Sequence, residues 1–299
     1  MIIVNWNGKE FLDRCLQTVF ASNFREDFEV IVVDNCSSDN SVALIREKYP
    51  RVIVIANSDN VGFARGNNQA IRESRGAYLL LLNPDTEIEP DALQVMVDFM
   101  RGQPDCGMAG CRVLNPDGTL QLASRRAIPS IADAVFKLTG ISRLFPYSPR
   151  FSRYNLTYLP SDQVSPVDAV SGSFLMARRE TVDQIGLLDE RFFMYGEDLD
   201  WCWRSRQAGY QNYYVPGTSI IHYQGQSSAK RPLRTAYYFY QAMSLFYCKH
   251  TAPRWAWPMV RAASLLAFML SLPKTLWTHK KRRVTLPVPE GRTTNGLSE

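Results

Sequence analysis

The first hundred residues alternate short apolar runs with segments that carry apolar residues at helical spacing. The apolar runs are rich in Ile, Val and Leu, and they read "IIVN", "FEVIVVDN", "RVIVIAN" and "AYLLLLN". Strands that alternate with helices of this length indicate a mostly parallel sheet with helices on both faces. The alternation therefore predicts an α/β fold, and it constrains the chain more than any other feature.

The run of four leucines at residues 79–82 is followed directly by Asn83, Pro84 and Asp85. A central parallel strand is buried on both faces, so it can consist of Leu throughout. Its carboxyl end opens into the crevice where α/β sheets bind ligands. Asp34 ends an earlier strand at the same edge of the sheet. We therefore expect Asp34 and Asp85 to line a ligand-binding crevice.

The pattern changes after residue 105. The turn "NPDG" predicts a hairpin, and residues 127–163, rich in Pro, Ser and aromatic residues, predict a loop or lid region with short helices. The stretch "VDAVSGSFLMARRE" predicts a strand that runs into a helix. A further helix is expected to open at Glu197 and to end at Gly209, followed by two short strands, "QNYYVP" and "TSIIHYQG".

Charge divides the chain into a body and a tail. Residues 230–299 hold twelve Lys and Arg against two Glu, whereas residues 1–229 hold 22 basic and 27 acidic residues. A basic tail on an acidic body suggests an anionic partner, either nucleic acid or a membrane surface. Apolar runs lie between the basic residues of the tail, which favours the membrane and argues against nucleic acid.

The tail is expected to lie on the membrane. The uncharged stretch from Ala262 to Pro273 has twelve residues, whereas a spanning helix needs about 20. We therefore predict amphipathic, membrane-associating helices over residues 229–284, a disordered end over 285–299, and a body over 1–228. No secretory signal precedes the first strand, so we expect a cytoplasmic protein at the inner face of the cell membrane.

Two common phosphate-binding motifs are missing. The turn after the first strand, "VNWNGKEF", has no GxGxxG, and the sequence has no GxxxxGK[ST]. The stretch "NSDNVGFARGNNQA" offers Gly62 for close backbone approach to a ligand, and Asn60, Asn67 and Asn68 for neutral hydrogen bonds. The same Gly and Asn residues also suit a simple turn, and this stretch alone does not separate the two interpretations.

A second acidic cluster lies in "YGEDLD", which holds Glu197, Asp198 and Asp200 at the start of a predicted helix. Capping the helix dipole would explain one of these acids, but not three. One of them is therefore a candidate general base. His222 ends a short strand and precedes the Gly/Ser loop "QGQSS", a placement that suits a ligand-binding histidine as well as a structural one.

Six motifs occur in the order found in inverting glycosyltransferases of family 2, and the sequence resembles their rhamnosyltransferase-like branch over residues 1–228. The motifs are "VIVVDNCSSDNS", "NVGFARGNN", "LLLLNPDT", "VSGSFLMARRE", "FFMYGEDLDWCWR" and "IIHYQGQSS". The resemblance implies a GT-A fold, which is a nucleotide-sugar-binding α/β domain.

The resemblance also implies roles for individual residues. The motif "NPD" stands where the family has its DxD metal motif, so Asp85 would bind Mn²⁺ or Mg²⁺, His222 would be a further ligand, and Asp198 would be the catalytic base. The implied donor-binding residues are Asn5, Asp34, Asn60, Gly62, Arg65, Asn68 and Asn83. The implied acceptor-side residues are Glu197, Asp200 and Trp201.

The expected activity is the transfer of a sugar, with rhamnose favoured by the resemblance, from a nucleotide-diphosphate donor to a saccharide or lipid-linked saccharide in bacterial cell-surface polysaccharide synthesis. Two alternatives stay open. A nucleotidyltransferase would need a basic phosphate-handling loop near the first strand, where only Lys9 is available. A non-catalytic nucleotide-sugar-binding module would be expected to lack catalytic acids, yet Asp34, Asp85 and Asp198 are all present.

Overall fold

The computed structural model describes residues 1–223 and 232–282. The "QGQSS" loop and the predicted disordered end, 285–299, lie outside these residues. The strands are β1 Ile2–Asn5, β2 Ile31–Asp34, β3 Ile53–Ala56, β4 Tyr78–Leu82, β5 Thr86–Ile88, β6 Cys106–Leu114, β7 Arg125–Arg126, β8 Ser165–Val167, β9 Ala169–Val170, β10 Phe174–Arg178 and β11 Gln211–His222. The α-helices are α1 Lys9–Phe20, α2 Ser41–Lys48, α3 Phe63–Glu73, α4 Ala92–Gly102, α5 Ile131–Leu138, α6 Ile141–Leu144, α7 Arg179–Ile185, α8 Glu197–Gln207, α9 Pro232–His250 and α10 Trp257–Arg282.

The main sheet has the strand order β3-β2-β1-β4-β10-β6-β11-β5, with β8 also paired to β11. Strands β1 to β4 are parallel, as the alternating pattern predicts. Beyond β4 the sheet is mixed, because β10 runs antiparallel to both of its neighbours and β5 runs antiparallel to β11. Strands β6 and β11 are again parallel to each other, so most strands run in one direction and the predicted mostly parallel sheet is confirmed, with β10, β5 and β8 running against the others.

Alternate leucines of β4 enter different cores. Leu79 and Leu81 join the cluster that includes residues of α3 and α8, whereas Leu80 and Leu82 join the cluster that includes residues of α1 and α4. Successive side chains of a strand point to opposite faces, so a run of Leu fits a strand covered on both sides. The strand is thereby fixed, and the polar residues that follow it are held at the edge of the sheet.

One local prediction about strands is wrong. "QNYYVP" and "TSIIHYQG" belong to one strand, β11, whose register with β6 shifts between Val215 and Ser219. Pro216 lies in that interval, and proline in a strand interior is accommodated at such irregularities because it cannot donate a ladder hydrogen bond.

The predicted turn at "NPDG" is present. The Gly118 amide donates to the Asn115 carbonyl over 2.9 Å, and the Asn115 amide donates to the Thr119 carbonyl over 2.8 Å. Leu114 and Leu120 form an antiparallel bridge across the turn.

The C-terminal helices form an antiparallel pair. Helix α9 contributes Ala242 and Phe246 to the core of the body, and both are buried. Helix α10 packs on α9, where the Ser264 hydroxyl donates to the Tyr240 carbonyl over 2.5 Å and Phe268 contacts the ring of Tyr237. The division at residue 228 stays a prediction, although α9 shares the core of the body.

Candidate active site

Asn5 and Asp34 end the neighbouring strands β1 and β2 and lie directly opposite each other. The Asn5 amide donates to Asp34 Oδ1 over 2.9 Å, and the Ser37 amide donates to Asp34 Oδ2 over 2.8 Å. Both side chains are buried, and Asn5 Oδ1 has no hydrogen-bond partner in the part of the chain that the structure describes. A preorganised carboxylate therefore stands at the carboxyl edge of the sheet, as the sequence predicts.

The turn before α3 is tied to the segment that precedes α8. Gly62 has φ +90°, and a Cβ atom there would lie 2.6 Å from the Phe193 carbonyl oxygen, so both conformation and space demand glycine. Asn60 accepts from the Gly62 amide over 3.0 Å, and Phe63 donates its amide to Phe193 over 2.7 Å. The turn interpretation of Asn60 and Gly62 is therefore correct, and their exposed neighbours stay available to a ligand.

Two predicted donor-binding residues lie beside the 188–190 segment, and one of them, Asn68, is fully used in holding it. The Asn68 amide donates to the Leu188 carbonyl over 2.8 Å and to Glu190 over 3.0 Å, while its oxygen accepts from the Leu188 amide. Asn68 is buried, so its hydrogen bonds hold the 188–190 segment instead of a donor. Arg65 has an exposed side chain 4.0 Å from Glu190, which places it beside that same segment.

His222, Asp85 and Asn83 lie together where β11 and β4 end. His222 Nε2 is 3.2 Å from Asp85 Oδ1 and 3.3 Å from the Asn83 amide nitrogen. On the other side of the ring, Nδ1 is 3.0 Å from Gln121 Oε1, and the Gln121 amide donates to the His222 carbonyl over 2.8 Å. Because the Gln121 amide is used as a donor, its oxygen accepts from His222 Nδ1–H.

This tautomer turns the Nε2 lone pair toward the carboxylate of Asp85. Two acceptors at 3.2 Å need a cation or a proton between them. Ligands at right angles around a cation with bonds near 2.1 Å would be separated by about 3 Å, so the pair fits a shared divalent ion. Within residues 1–223 and 232–282, no group of three or more His, Cys, Asp or Glu side chains is placed to hold a metal, so the other ligands would come from a substrate and water.

Asp198 lies in the first turn of α8 and receives three hydrogen bonds. Its Oδ2 accepts from Arg126 Nη2 over 2.7 Å and from the Gly172 amide over 3.0 Å, while Oδ1 accepts from the Leu199 amide over 2.7 Å. Burial alone would lower the pKa of Arg126, but the charge of Asp198 raises it above its usual range. Arg126 also donates to the Val170 carbonyl over 2.7 Å, so it fixes the orientation of the Asp198 carboxylate. Of the two carboxylate oxygens, Oδ1 accepts fewer hydrogen bonds than Oδ2.

One short turn joins the two groups of acids. The Asn83 amide donates to the Ser173 carbonyl over 3.0 Å, and the adjacent Gly172 donates to Asp198. Asn83 and Asp198 therefore both contact the 171–173 turn. The structure brings Asp198 to the edge that carries Asp85 and His222.

The other two acids of "YGEDLD" do not suit a base. Burial, and next the charge of Asp198, raise the pKa of Glu197 to about 8, and its Oε2 atom has no hydrogen-bond partner among the described residues. Asp200 is fully buried and contacts Lys249, His250 and Arg204 within 2.9 Å. Burial alone would raise the pKa of Asp200, but the hydrogen bonds from His250 and Lys249 hold it below its usual range.

The acceptor-side prediction is therefore wrong for Asp200 and Trp201. Asp200 fastens α8 to the end of α9, and Trp201 is fully buried with its indole donating to the Gly186 carbonyl over 2.9 Å. The prediction failed because an acid-rich helix start shows neither which acid faces the site nor which cations lie behind it. Gln121 and Arg126, which contact His222 and Asp198, belong to no motif that the sequence displays.

Comparisons with known proteins point to one family. Residues 1–186 match the family described as Glycosyl transferase family 2. An N-acetylglucosaminyl-diphospho-decaprenol L-rhamnosyltransferase of Mycobacterium tuberculosis is 26% identical over 307 aligned residues, which cover 98% of each chain. Rhamnosyltransferase WbbL of Escherichia coli is 28% identical, covering 75% of this chain and 82% of that protein.

Solved structures share the fold. A mannosyltransferase of Pyrobaculum calidifontis, in complex with GDP-Man and Mn²⁺, aligns with a TM-score of 0.59 at 17% identity, covering 96% of this chain and 75% of that one. Staphylococcus aureus TarS, in complex with UDP-GlcNAc, aligns with a TM-score of 0.55 at 17% identity, covering 88% of this chain and 70% of that one. The predicted GT-A architecture is confirmed.

Proposed function

We propose that this chain, which belongs to glycosyl transferase family 2, transfers rhamnose or a similar hexose from a nucleoside-diphosphate donor to a lipid-linked saccharide, with inversion at the anomeric carbon. Glycosyl transfer follows from the family, and it disfavours the nucleotidyltransferase and binding-module alternatives. The lipid-linked acceptor is supported by the Mycobacterium tuberculosis relative, which aligns over nearly the whole chain. The single observation that carries the chemistry is the facing pair Asp85 and His222, one turn away from Asp198.

The donor is proposed to bind along the edge formed by β1, β2 and β4. Asp34 would accept hydrogen bonds from the nucleoside, with Asn5 holding its carboxylate in place. Asn60 and Gly62 shape the neighbouring turn, and Asn83 lies beside the pair that faces the diphosphate. The predicted role of Arg65 stays a prediction, supported by its exposed side chain.

Asp85 and His222 are proposed to hold Mn²⁺ or Mg²⁺. Gln121 fixes the His222 tautomer in which Nε2 carries no proton and can bind the ion. When bound, such an ion neutralises charge on the leaving diphosphate. Carboxylate oxygen and imidazole nitrogen together suit Mn²⁺, while Mg²⁺ favours oxygen ligands alone. Asp85 and His222 therefore suit a divalent ion, whose remaining ligands would include phosphate oxygens of the donor.

Asp198 is proposed to act as the base. The acceptor hydroxyl oxygen forms a bond to the anomeric carbon while the bond from that carbon to the diphosphate oxygen breaks. The hydroxyl proton passes to Asp198 Oδ1, because Oδ2 is already engaged by Arg126 and Gly172. Glu197 is unsuited to the role because its raised pKa keeps it protonated at neutral pH.

The enzyme is proposed to work at the inner face of the cell membrane through its C-terminal helix. Arg254–Pro273 is long and apolar enough to cross a bilayer by length and composition. However, the middle of α10 lies along α9, which is docked on the body through Phe246 and Lys249. A helix held against a docked neighbour favours an interfacial position over a spanning one.

A donor screen tests the proposal. Purified protein is incubated with nucleoside-diphosphate sugars, with and without a membrane extract that supplies lipid-linked acceptors, and release of nucleoside diphosphate is measured. We expect release that depends on one donor, on the extract and on added Mn²⁺ or Mg²⁺. Pyrophosphate release from a nucleoside triphosphate and a sugar 1-phosphate would instead support a nucleotidyltransferase.

A further inference from the structure

Residues 140–150, here called the basic finger, project from the body with their largest apolar side chains in solvent. Leu144 is 75% exposed, Phe145 is 53% exposed and Tyr147 is 80% exposed. Isolated apolar residues are common on protein surfaces, but three large ones within four positions are not easily explained as chance exposure. The finger therefore presents a compact apolar tip.

The base of the finger is well packed, so its exposed tip is held in place by ordered contacts. The Phe151 ring contacts Phe136 and Phe145, with centroids 5.0 and 5.4 Å away. The Ser152 hydroxyl donates to the Ser142 carbonyl over 3.0 Å and to the Phe145 carbonyl over 2.8 Å. These contacts fasten both ends of the finger and leave its tip directed outward.

The tip is flanked by positive charge alone. Arg143 and Arg150 are exposed, the finger contains no acidic residue, and neither arginine forms an ion pair within the described part of the chain. Exposed apolar residues between unpaired arginines match the composition of segments that enter the head-group region of anionic bilayers. A protein partner would more often meet a tip with charges of both signs.

The finger lies near the helices already assigned to the membrane. Tyr247 is in the last turn of α9, and burial, followed by the charge of Asp133, raises its pKa to about 12. Arg153, just after the finger, donates to Asp133 over 2.6 Å. Trp255, 75% exposed, follows the end of α9 and is a further large exposed side chain of the C-terminal helices.

The finger is also tied to the proposed base. Its segment leaves the sheet at β7, where Arg126 holds Asp198, and the Ala127 amide donates to the Tyr154 carbonyl over 2.9 Å. The segment that carries the finger is therefore continuous with the strand whose Arg126 holds the proposed base.

We propose that the basic finger is a second membrane contact, which inserts Leu144, Phe145 and Tyr147 among anionic lipid head groups. The inference rests on the proposed membrane function and extends it from the tail to the body. Two arginines near an anionic leaflet each strengthen partition roughly fivefold, so together they would contribute roughly 25-fold at low salt.

Vesicle co-sedimentation of the full-length chain tests this inference. The vesicles are phosphatidylcholine alone or phosphatidylcholine with phosphatidylglycerol, and the variants are Arg143→Gln with Arg150→Gln, and Leu144→Ser with Tyr147→Ser. The matched control is Arg46→Gln with Arg51→Gln, which removes the same charge from exposed positions on the body. Thermal unfolding of each variant verifies that the fold is intact.

The Arg143→Gln, Arg150→Gln variant is expected to bind the anionic vesicles roughly 25-fold more weakly than the wild-type chain does, and the neutral vesicles almost as strongly. The apolar variant should lose partition to both, and the control should stay close to wild type. If both finger variants bind the vesicles as strongly as the wild-type chain does, the proposed membrane contact of the finger is wrong. The proposed membrane contact of the C-terminal helices would be unaffected. Failure of the wild-type chain to bind any vesicle would overturn membrane association altogether, without touching donor turnover measured with a soluble acceptor.

Discussion

The proposed donor edge takes its polar side chains from the ends of neighbouring strands. The proposed acceptor side, meaning Asp198 and the helix α8 that carries it, is held by segments far apart in the chain. Asn5 and Asp34 meet because β1 and β2 are adjacent and parallel. Asp198 instead depends on Arg126, which is 72 residues away, and α8 is fastened behind the site by the contact of Asp200 with Lys249 in a C-terminal helix.

This difference predicts how each region responds to substitution. At the donor edge, backbone hydrogen bonding of the sheet fixes the side chains, so a substitution should change affinity with little loss of stability. On the acceptor side, buried ion pairs fix the helix that carries the base, so substitutions should affect turnover or folding. The predictions below are ordered by the size of the effect, largest first.

Replacing Asp198 with Asn should lower turnover by about 10²- to 10⁴-fold and leave donor binding nearly unchanged. The amide keeps the shape of the side chain but cannot take a proton from the acceptor. Turnover and calorimetric titration with the donor, on the same preparation, measure both quantities. Near-normal turnover would remove Asp198 from the base role.

Replacing Asp200 with Asn should lower the free energy of unfolding by about 3–5 kcal/mol, because Lys249 and Arg204 lose a buried partner. The folded-state pKa of Asp200 is depressed, so its contribution is present above its unfolded pKa near 4 and is lost as pH falls below that value. Denaturant unfolding at pH 7 and at pH 3 measures the difference between variant and wild type. An equal difference at both pH values would contradict the ion-pair account.

Replacing Gln121 with Ala should weaken Mn²⁺ binding about 10- to 100-fold, because His222 loses the partner that fixes its tautomer. Calorimetric titration of Mn²⁺ in the presence of nucleoside diphosphate gives the affinity without relying on turnover. The control is Gln207→Ala, an exposed glutamine in α8. Unchanged affinity in the Gln121 variant would remove His222 from the proposed metal site.

Replacing Glu197 with Gln should stabilise the protein increasingly as pH rises from about 5 to 8. The folded-state pKa is raised to about 8, so the folded protein binds a proton that the unfolded chain releases above its ordinary pKa. Wild-type stability therefore falls with rising pH by at most about 1.4 kcal/mol per unit, and the variant lacks this term. A pH-independent difference in melting temperature would show that Glu197 is ionised in the folded state.

The contrast between the two regions also explains what the sequence could predict. Strand ends are visible as apolar runs that stop at polar residues, so pattern and topology together predict the placement of Asp34 and Asp85 at the edge of the sheet. Helix α8 and its start at Glu197 were equally visible. Arg126 carries no such signal, because its partner is chosen by the path of the 127–163 segment and not by spacing.

Asp200 shows that a local sequence pattern cannot identify which acid of a cluster faces the site. Asp198 and Asp200 are only two residues apart and look alike in the sequence, and only the packing of α9 distinguishes them. Lys249 and His250 reach Asp200 from a helix that composition assigns to a membrane tail. Whether an acid faces substrate or a buried cation is therefore decided by contacts that local patterns do not contain.

The most direct test is the anomeric configuration of the product, because the proposed mechanism requires the diphosphate to leave on the donor edge and the hydroxyl to attack from the acceptor side. With the donor identified by the screen, nuclear magnetic resonance of the purified product gives that configuration from the coupling at the anomeric carbon. The account predicts the configuration opposite to that of the donor, from a single displacement assisted by Asp198. Retention of the donor configuration would contradict it.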